Sequence, residues 1–301
     1  MAGAERIGVL GVGRMGLPIA TRLARAGFAV TVFDVLPARL GTAGLPAAPS
    51  AATLAAASDI LVTVLPGMAE IEDAMIGSGR LVDSLPSGAI WLDLTSNDPR
   101  VARAIANELS ARRVGCVGAP MAGGMTAAQS GTLRFYVGGG DHSVERARPV
   151  LESVGTVERV GESVEHGYVA KLLANLVWFG QVVAVTEALL LGKSLGLSVD
   201  VLRLQLGASA GGSVFIDEYL DRLLAGDYLA SFGIDRCVEE LETLVSLAEA
   251  NGVPFELSRL VARQHRDALE RFGAIDGELL AAKLLEERAF TLLRTARAES
   301  G

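Results

Sequence analysis

The chain has 301 residues, half of them hydrophobic and 21% charged, which supports about two packed domains and excludes a disordered protein. With 35 acidic against 27 basic residues the formal charge is -8, so neither nucleic acid nor an anionic membrane is an expected partner. Cys116 and Cys237 stand outside any CxxC or Cys/His spacing, and His142, His166 and His265 form no ligand cluster. A metal centre and a disulfide framework are therefore not expected, and a reducing cytoplasm is.

The start, Met1 to Arg6, lacks the basic and apolar regions of a secretion signal. A first strand is expected over Arg6 to Leu10, and directly after it comes Gly11-Val12-Gly13-Arg14-Met15-Gly16. Glycines at these three positions permit a tight turn, close backbone approach to a pyrophosphate, and packing of the next helix, Met15 to Ala26, on the strand. The second strand, Ala29 to Phe33, ends at Asp34, 18 residues beyond Gly16, where a carboxylate accepts hydrogen bonds from the ribose of NAD and repels a 2′-phosphate. Val35 and Leu36 follow with no arginine to hold that phosphate; Arg39 is near enough to leave NADP open.

Further strands are expected at Ile60 to Leu65, Ala89 to Leu92 and Val114 to Val117, with a helix from Pro99 to Arg112 before the last. Leu133 to Val137 and Val157 to Val160 read as short strands added at a sheet edge around a helix Val144 to Ser153. From about Glu162 onward the strand signals stop and helical periodicity takes over, broken by glycines. The expected fold is α/β, a doubly wound Rossmann sheet over 1–162 followed by an all-α domain over 163–301. The first helix of that domain, about Ser163 to Gly192, is too long and apolar for one exposed face, as expected if it runs between domains or is wrapped by helices of its own or another subunit; a homodimer or homotetramer is the expected assembly. Within it the apolar run Leu172 to Leu191 is broken by Asn175, Gly180, Gln181 and Glu187, so a membrane span is not expected.

Gly167, Lys171 and Asn175 recur every four residues and share one helical stripe. A stripe of this kind can face one pocket, with Asn175 one turn beyond Lys171.

Three ordered motifs together resemble the β-hydroxyacid dehydrogenase family, and within it the 3-hydroxyisobutyrate dehydrogenase type: Gly11 to Pro18, Gly118-Ala-Pro-Met-Ala-Gly-Gly124, and Gly167-Tyr-Val-Ala-Lys171-Leu-Leu-Ala-Asn175. The resemblance covers nearly the whole chain. It implies a nicotinamide-dependent oxidoreductase that interconverts a β-hydroxyacid-type alcohol and its carbonyl form in a cleft between two domains, with Lys171 as acid/base. It also implies cofactor contacts from Leu65, Pro66, Thr95 and Ser96, in addition to Gly11, Gly13, Arg14, Met15, Gly16 and Asp34. Substrate contacts are expected from Ala122, Gly123 and Gly124, whose backbone N–H groups can cradle an acidic substrate. Phe215, which follows the glycine-rich segment Gly207 to Ser213, is added as a pocket-lining candidate.

The chain departs from the family pattern at two places. Ala122 stands where relatives carry a serine, and Glu239-Glu240-Leu241 where they carry Lys-Asp-Leu. Both changes remove partners for a substrate carboxylate, although Arg134 and Arg236 lie close in sequence and restore a cation if they reach. Small β-hydroxyacids are therefore expected to be poorer substrates than neutral or amine-bearing ones. The alternatives are an imine reductase on the same architecture, whose members replace the lysine retained here, and a sensor or scaffold that binds NAD without turnover.

Overall fold

The computed structural model describes residues 5–294, so the first four residues of the start considered above and those from 295 on lie outside it. The chain divides into two compact units between Lys171 and Leu172. That division falls inside a helix, later than residue 162, because the helix begins against the sheet of the first unit: a Cβ on Gly167 would stand 2.5 Å from the Gly118 carbonyl oxygen and 2.6 Å from that of Tyr136.

In the first unit β1 (Arg6–Leu10) leads to α1 (Gly16–Arg25), which buries Gly16, Ile19, Ala20 and Leu23, the spacing of a helix with one apolar face. After β2 (Ala29–Phe33) come two short helices, α2 (Pro37–Ala43) and α3 (Ala51–Ala57); the Ser50 hydroxyl caps α3 by accepting from the Thr53 N–H. β3 (Ile60–Thr63) and β4 (Ile90–Asp93), separated by α4 (Met68–Met75), are buried at every position, which explains their unbroken apolar runs. α5 (Pro99–Ala111) starts on Asp98, whose carboxylate accepts from the Arg100 N–H, and Pro99 supplies the fixed φ of its first turn. The rest of the unit is β5 (Gly115–Gly118), β6 (Met121–Ala122), α6 (Gly124–Ser130), β7 (Leu133–Gly139), α7 (Asp141–Glu152) and β8 (Gly155–Gly161).

These strands form one sheet in the order β2-β1-β3-β4-β5-β7-β6, with β8 also paired to β7. β1 to β5 pair in parallel, β7 runs antiparallel to both β5 and β6, and β8 is parallel to β7. From β1 the chain steps to β2 on one side and later to β3 on the other, so the loops after β1 and β3 diverge and leave a crevice at the carboxyl ends of the strands. β6 is a finding rather than an expectation: two residues are too few to show alternation in sequence.

Helix α8 (Val164–Ser194) runs from the first unit into the second. By length and composition alone it could cross a membrane, with a mean hydropathy of 1.5 over its most apolar window. The polar residues that argue against this are on the helix, and Phe179, Val182, Val183 and Leu189 are buried among other helices of the second unit. That unit continues with α9 (Val199–Gly207), a π-helical turn at Phe215–Tyr219, α10 (Leu220–Leu224), α11 (Ile234–Ala250), α12 (Glu256–Phe272) and α13 (Leu280–Arg288). It contains no strand among the described residues.

Candidate active site

The turn between β1 and α1 is built by its glycines. Gly11 has φ +93°, and a Cβ there would stand 2.3 Å from the Val64 carbonyl oxygen; one on Gly16 would stand 1.9 Å from the Gly11 carbonyl oxygen. Side chains at either place would open the turn. The first turn of α1 contains no acidic residue, and its N-cap, Met15, makes no side-chain cap. The Leu17 and Ile19 N–H groups are taken by the Gly13 and Met15 carbonyls and Pro18 has none, so what α1 offers an anion such as a pyrophosphate is its positive dipole end, with no acidic side chain set against it.

At the end of β2, Asp34 is only 5% exposed, and its two oxygens accept from the N–H groups of Val12 and Leu36, both at 2.9 Å. The carboxylate therefore locks the glycine turn. The guanidinium of Arg39, on α2, stands 3.3 Å from Asp34 and would be 3.5 Å from a Cβ on Gly13. The structure thus places the Arg39 guanidinium beside Asp34 and the glycine turn, which its distance in sequence does not show. Arg39→Ala should therefore weaken NADP binding by roughly tenfold while changing NAD affinity little, since a charge-assisted bond is worth about 1.5–3 kcal/mol. Titrating both cofactors against the variant measures it.

The two other segments expected to contact the cofactor follow the ends of β3 and β4, and one bond fastens them together: the Leu65 N–H donates to the Thr95 hydroxyl at 3.0 Å. Thr95 is buried, whereas Ser96 is half-buried beside it. Beneath them lies Asp93, fully buried. Its Oδ1 accepts from the Thr63 hydroxyl at 2.8 Å and the Thr95 N–H at 3.0 Å, and its Oδ2 accepts from the Tyr168 hydroxyl at 2.9 Å and Asn97 at 3.4 Å. Burial pushes the Asp93 carboxyl up to about 6, against the opposing pull of these donors.

Ala122 lies in β6, directly across from Arg134 in β7, and Gly123 and Gly124 turn the chain into α6 with φ +117° and +65°. Arg134 is bound to Glu158 at 2.7 Å and lies over the Tyr136 ring, so this cation already has a partner.

On α8 the Gly167, Lys171, Asn175 stripe is present as a continuous helix. Lys171 is half-buried. In the second unit the Asn175 side-chain N–H donates to the Glu240 carboxylate at 2.5 Å, and Glu240 is 2% exposed.

Two expected substrate residues are corrected. Phe215 is completely buried in the core of the helical unit, packed edge-on against Trp178 with ring centroids 5.3 Å apart, and has no surface left to line a pocket. Glu239 is paired with Arg236 at 3.0 Å, and it is its neighbour Glu240 that meets Asn175. The helical phase of α11 carried that signal: Cys237, Glu240, Leu241 and Leu244 fall on its buried face, and Glu239 does not. Asp93 and Tyr168 were also missed, because nothing local in sequence pairs residues 75 positions apart.

Residues 6–167 match the NAD binding domain of 6-phosphogluconate dehydrogenase, and residues 166–285 match the NAD-binding model of NADP-dependent 3-hydroxyisobutyrate dehydrogenase. A 3-hydroxyisobutyrate dehydrogenase of Pseudomonas aeruginosa is 34% identical over 71% of this chain and 72% of its own length. A 2-(hydroxymethyl)glutarate dehydrogenase of Eubacterium barkeri is 28% identical over 86% of this chain and 87% of its own. Among solved structures, a Mycobacterium tuberculosis 3-hydroxyisobutyrate dehydrogenase with L-serine superposes with a TM-score of 0.84 at 24% identity, covering 94% of this chain and 99% of that one.

Proposed function

We propose, since this chain belongs to the β-hydroxyacid dehydrogenase family, that it oxidises a β-hydroxyacid-type alcohol to its carbonyl form and reduces it back, with Lys171 as the acid/base. It is an NAD(P)-dependent oxidoreductase acting on CH–OH groups. The observation that carries the reading is the joint presence of the glycine turn with Asp34 and the half-buried Lys171 on its α8 stripe.

When bound, the nicotinamide accepts or returns the hydride. The chain supplies the rest. The glycine turn and α1 would hold the pyrophosphate, Asp34 would accept from the ribose hydroxyls, and the Leu65-Pro66 and Thr95-Ser96 segments would line the cofactor site. At Nζ, Lys171 takes the hydroxyl proton during oxidation and gives a proton to the forming alkoxide in reduction. Asn175, held by Glu240, fixes the orientation of the polar groups one turn further on. Retention of Lys171 favours the dehydrogenase over the imine reductase alternative.

The test is turnover, read by nicotinamide absorbance with NAD and NADP, on 3-hydroxyisobutyrate, L-serine, 2-(hydroxymethyl)glutarate, a semialdehyde and a cyclic imine. Turnover of a hydroxyacid supports the reading; turnover of the imine alone supports the alternative, and none at all a sensor or scaffold. With Arg236 already neutralising Glu239, the missing carboxylate partner is the hydroxyl at position 122. Ala122→Ser should raise kcat/KM for 3-hydroxyisobutyrate by roughly fivefold, one hydrogen bond's worth, and Glu239→Lys should change it less.

A homodimer or homotetramer is part of the proposal, supported by the exposed side chains of Leu173, Val177 and Leu191 along α8. Val177→Glu should lower the mass measured by sedimentation; a monomeric parent protein would refute this. A cytoplasmic location is supported by the two unpaired cysteines, Cys116 and Cys237.

A further inference from the structure

We propose that Asp93 and Tyr168 are a positioning pair that fastens the start of α8, and with it Lys171, to the cofactor segments after β3 and β4. The proposal rests on the reading of Lys171 as acid/base.

The direction of every bond in the cluster is set by chemistry. The Trp91 indole can only donate, and it donates to the Thr63 hydroxyl at 3.0 Å, so the Thr63 proton is spent on Asp93. The Leu65 N–H occupies a lone pair of the Thr95 hydroxyl, while the Thr95 N–H donates to Asp93. An ionised carboxylate is acceptor-only, and it takes these donors together with the phenol of Tyr168. Leu65 and Thr95, both in cofactor segments, are thus immobilised by way of a side chain that does not reach the surface.

Tyr168 is the one member of this cluster that comes from outside β3, β4 and the loops after them. It too is completely buried, packed with Ala102 of α5 and Val164, where a phenylalanine would fit without burying a hydroxyl. Gly167 beside it lets α8 approach the Gly118 and Tyr136 carbonyls closely, so the hydroxyl reaches Asp93 directly. Lys171 follows Tyr168 by three residues, about 4.5 Å along the helix axis. Any slide or roll of the start of α8 relative to the Thr95-Ser96 segment therefore moves Nζ relative to the cofactor segments, and the Tyr168 to Asp93 bond opposes that motion.

The experiment compares Tyr168→Phe, Asp93→Asn, the double variant and Lys171→Ala with the unmodified protein, using 3-hydroxyisobutyrate and L-serine as probes. Expected is a fall in kcat of roughly tenfold for Tyr168→Phe, with NADH affinity within about threefold of the parent, because a small misplacement of a reacting group acts on the chemical step. The double variant should be no slower than the slower single one, since both substitutions break the same bond. A Tyr168→Phe enzyme with a lowered melting temperature but unchanged kcat and KM has lost packing only, and overturns the proposal. Losses that multiply in the double variant also overturn it. Lys171→Ala separates the two readings: if it keeps turnover the acid/base assignment fails, whereas an inactive Lys171→Ala beside a fully active Tyr168→Phe overturns the positioning pair alone.

Discussion

Lys171→Ala should lower kcat by roughly 10² to 10⁴ while NADH affinity stays within about threefold of the parent, because a general acid/base acts on the proton and the developing alkoxide and contributes nothing to holding the dinucleotide. Its neighbours on α8 make the result interpretable. Leu172 and Tyr168 are completely buried, so the backbone at 171 is held by packing on both sides of the substituted residue. Asn175→Ala should cost less in kcat but more in stability. It strips the donor from a buried Glu240 carboxylate, and an orphaned buried acceptor costs about 1–3 kcal/mol. Steady-state kinetics, fluorescence titration of NADH and a melting curve separate the two effects.

Gly16→Ala should abolish most cofactor binding, with a loss of roughly 100-fold in affinity and a lowered melting temperature, since overpacking of this kind costs about 1–3 kcal/mol. The new Cβ would stand 1.9 Å from the Gly11 carbonyl oxygen and 2.9 Å from its carbon, so the turn must open before α1 can sit on β1. Gly13→Ala is the control. A Cβ there meets no atom nearer than the Arg39 guanidinium at 3.5 Å, so the protein should melt normally and lose affinity only because a methyl group stands where the pyrophosphate approaches. If Gly13→Ala bound NADH as well as the parent, the glycine turn would be a packing device and the cofactor assignment would fail.

The parallel sheet was legible because its strands are covered on both faces: Ile60-Leu-Val62 and Ile90-Trp-Leu92 read as unbroken apolar runs bounded by polar turns. The nucleotide turn was legible for a different reason, since few residues other than glycine fit φ +93° at Gly11 or the carbonyl beside Gly16. Spacing alone placed Lys171 and Asn175 on one stripe. What sequence could not supply was long-range pairing. Asp93 reads as the polar end of a strand and Tyr168 as one more aromatic on a helix, until the fold brings them within 2.9 Å. The reach of Arg39 to Asp34 likewise depends on where α2 lies, and the glycine-rich segment before Phe215 leads its ring into the helical core, which local sequence does not show. Glu240, by contrast, is legible in the phase of α11, on the same face as Cys237, Leu241 and Leu244.

The most direct test of the central claim follows the hydride itself. The protein is incubated with NAD and a turned-over hydroxyacid carrying deuterium at its carbinol carbon, and the nicotinamide is recovered for mass spectrometry. One deuterium at the nicotinamide ring in each NADH formed, with labelled NADH accumulating at least about 10²-fold more slowly when Lys171→Ala replaces the parent, is the predicted result. Substrate consumed without transfer of label, or label transferred equally well without Lys171, would contradict the account.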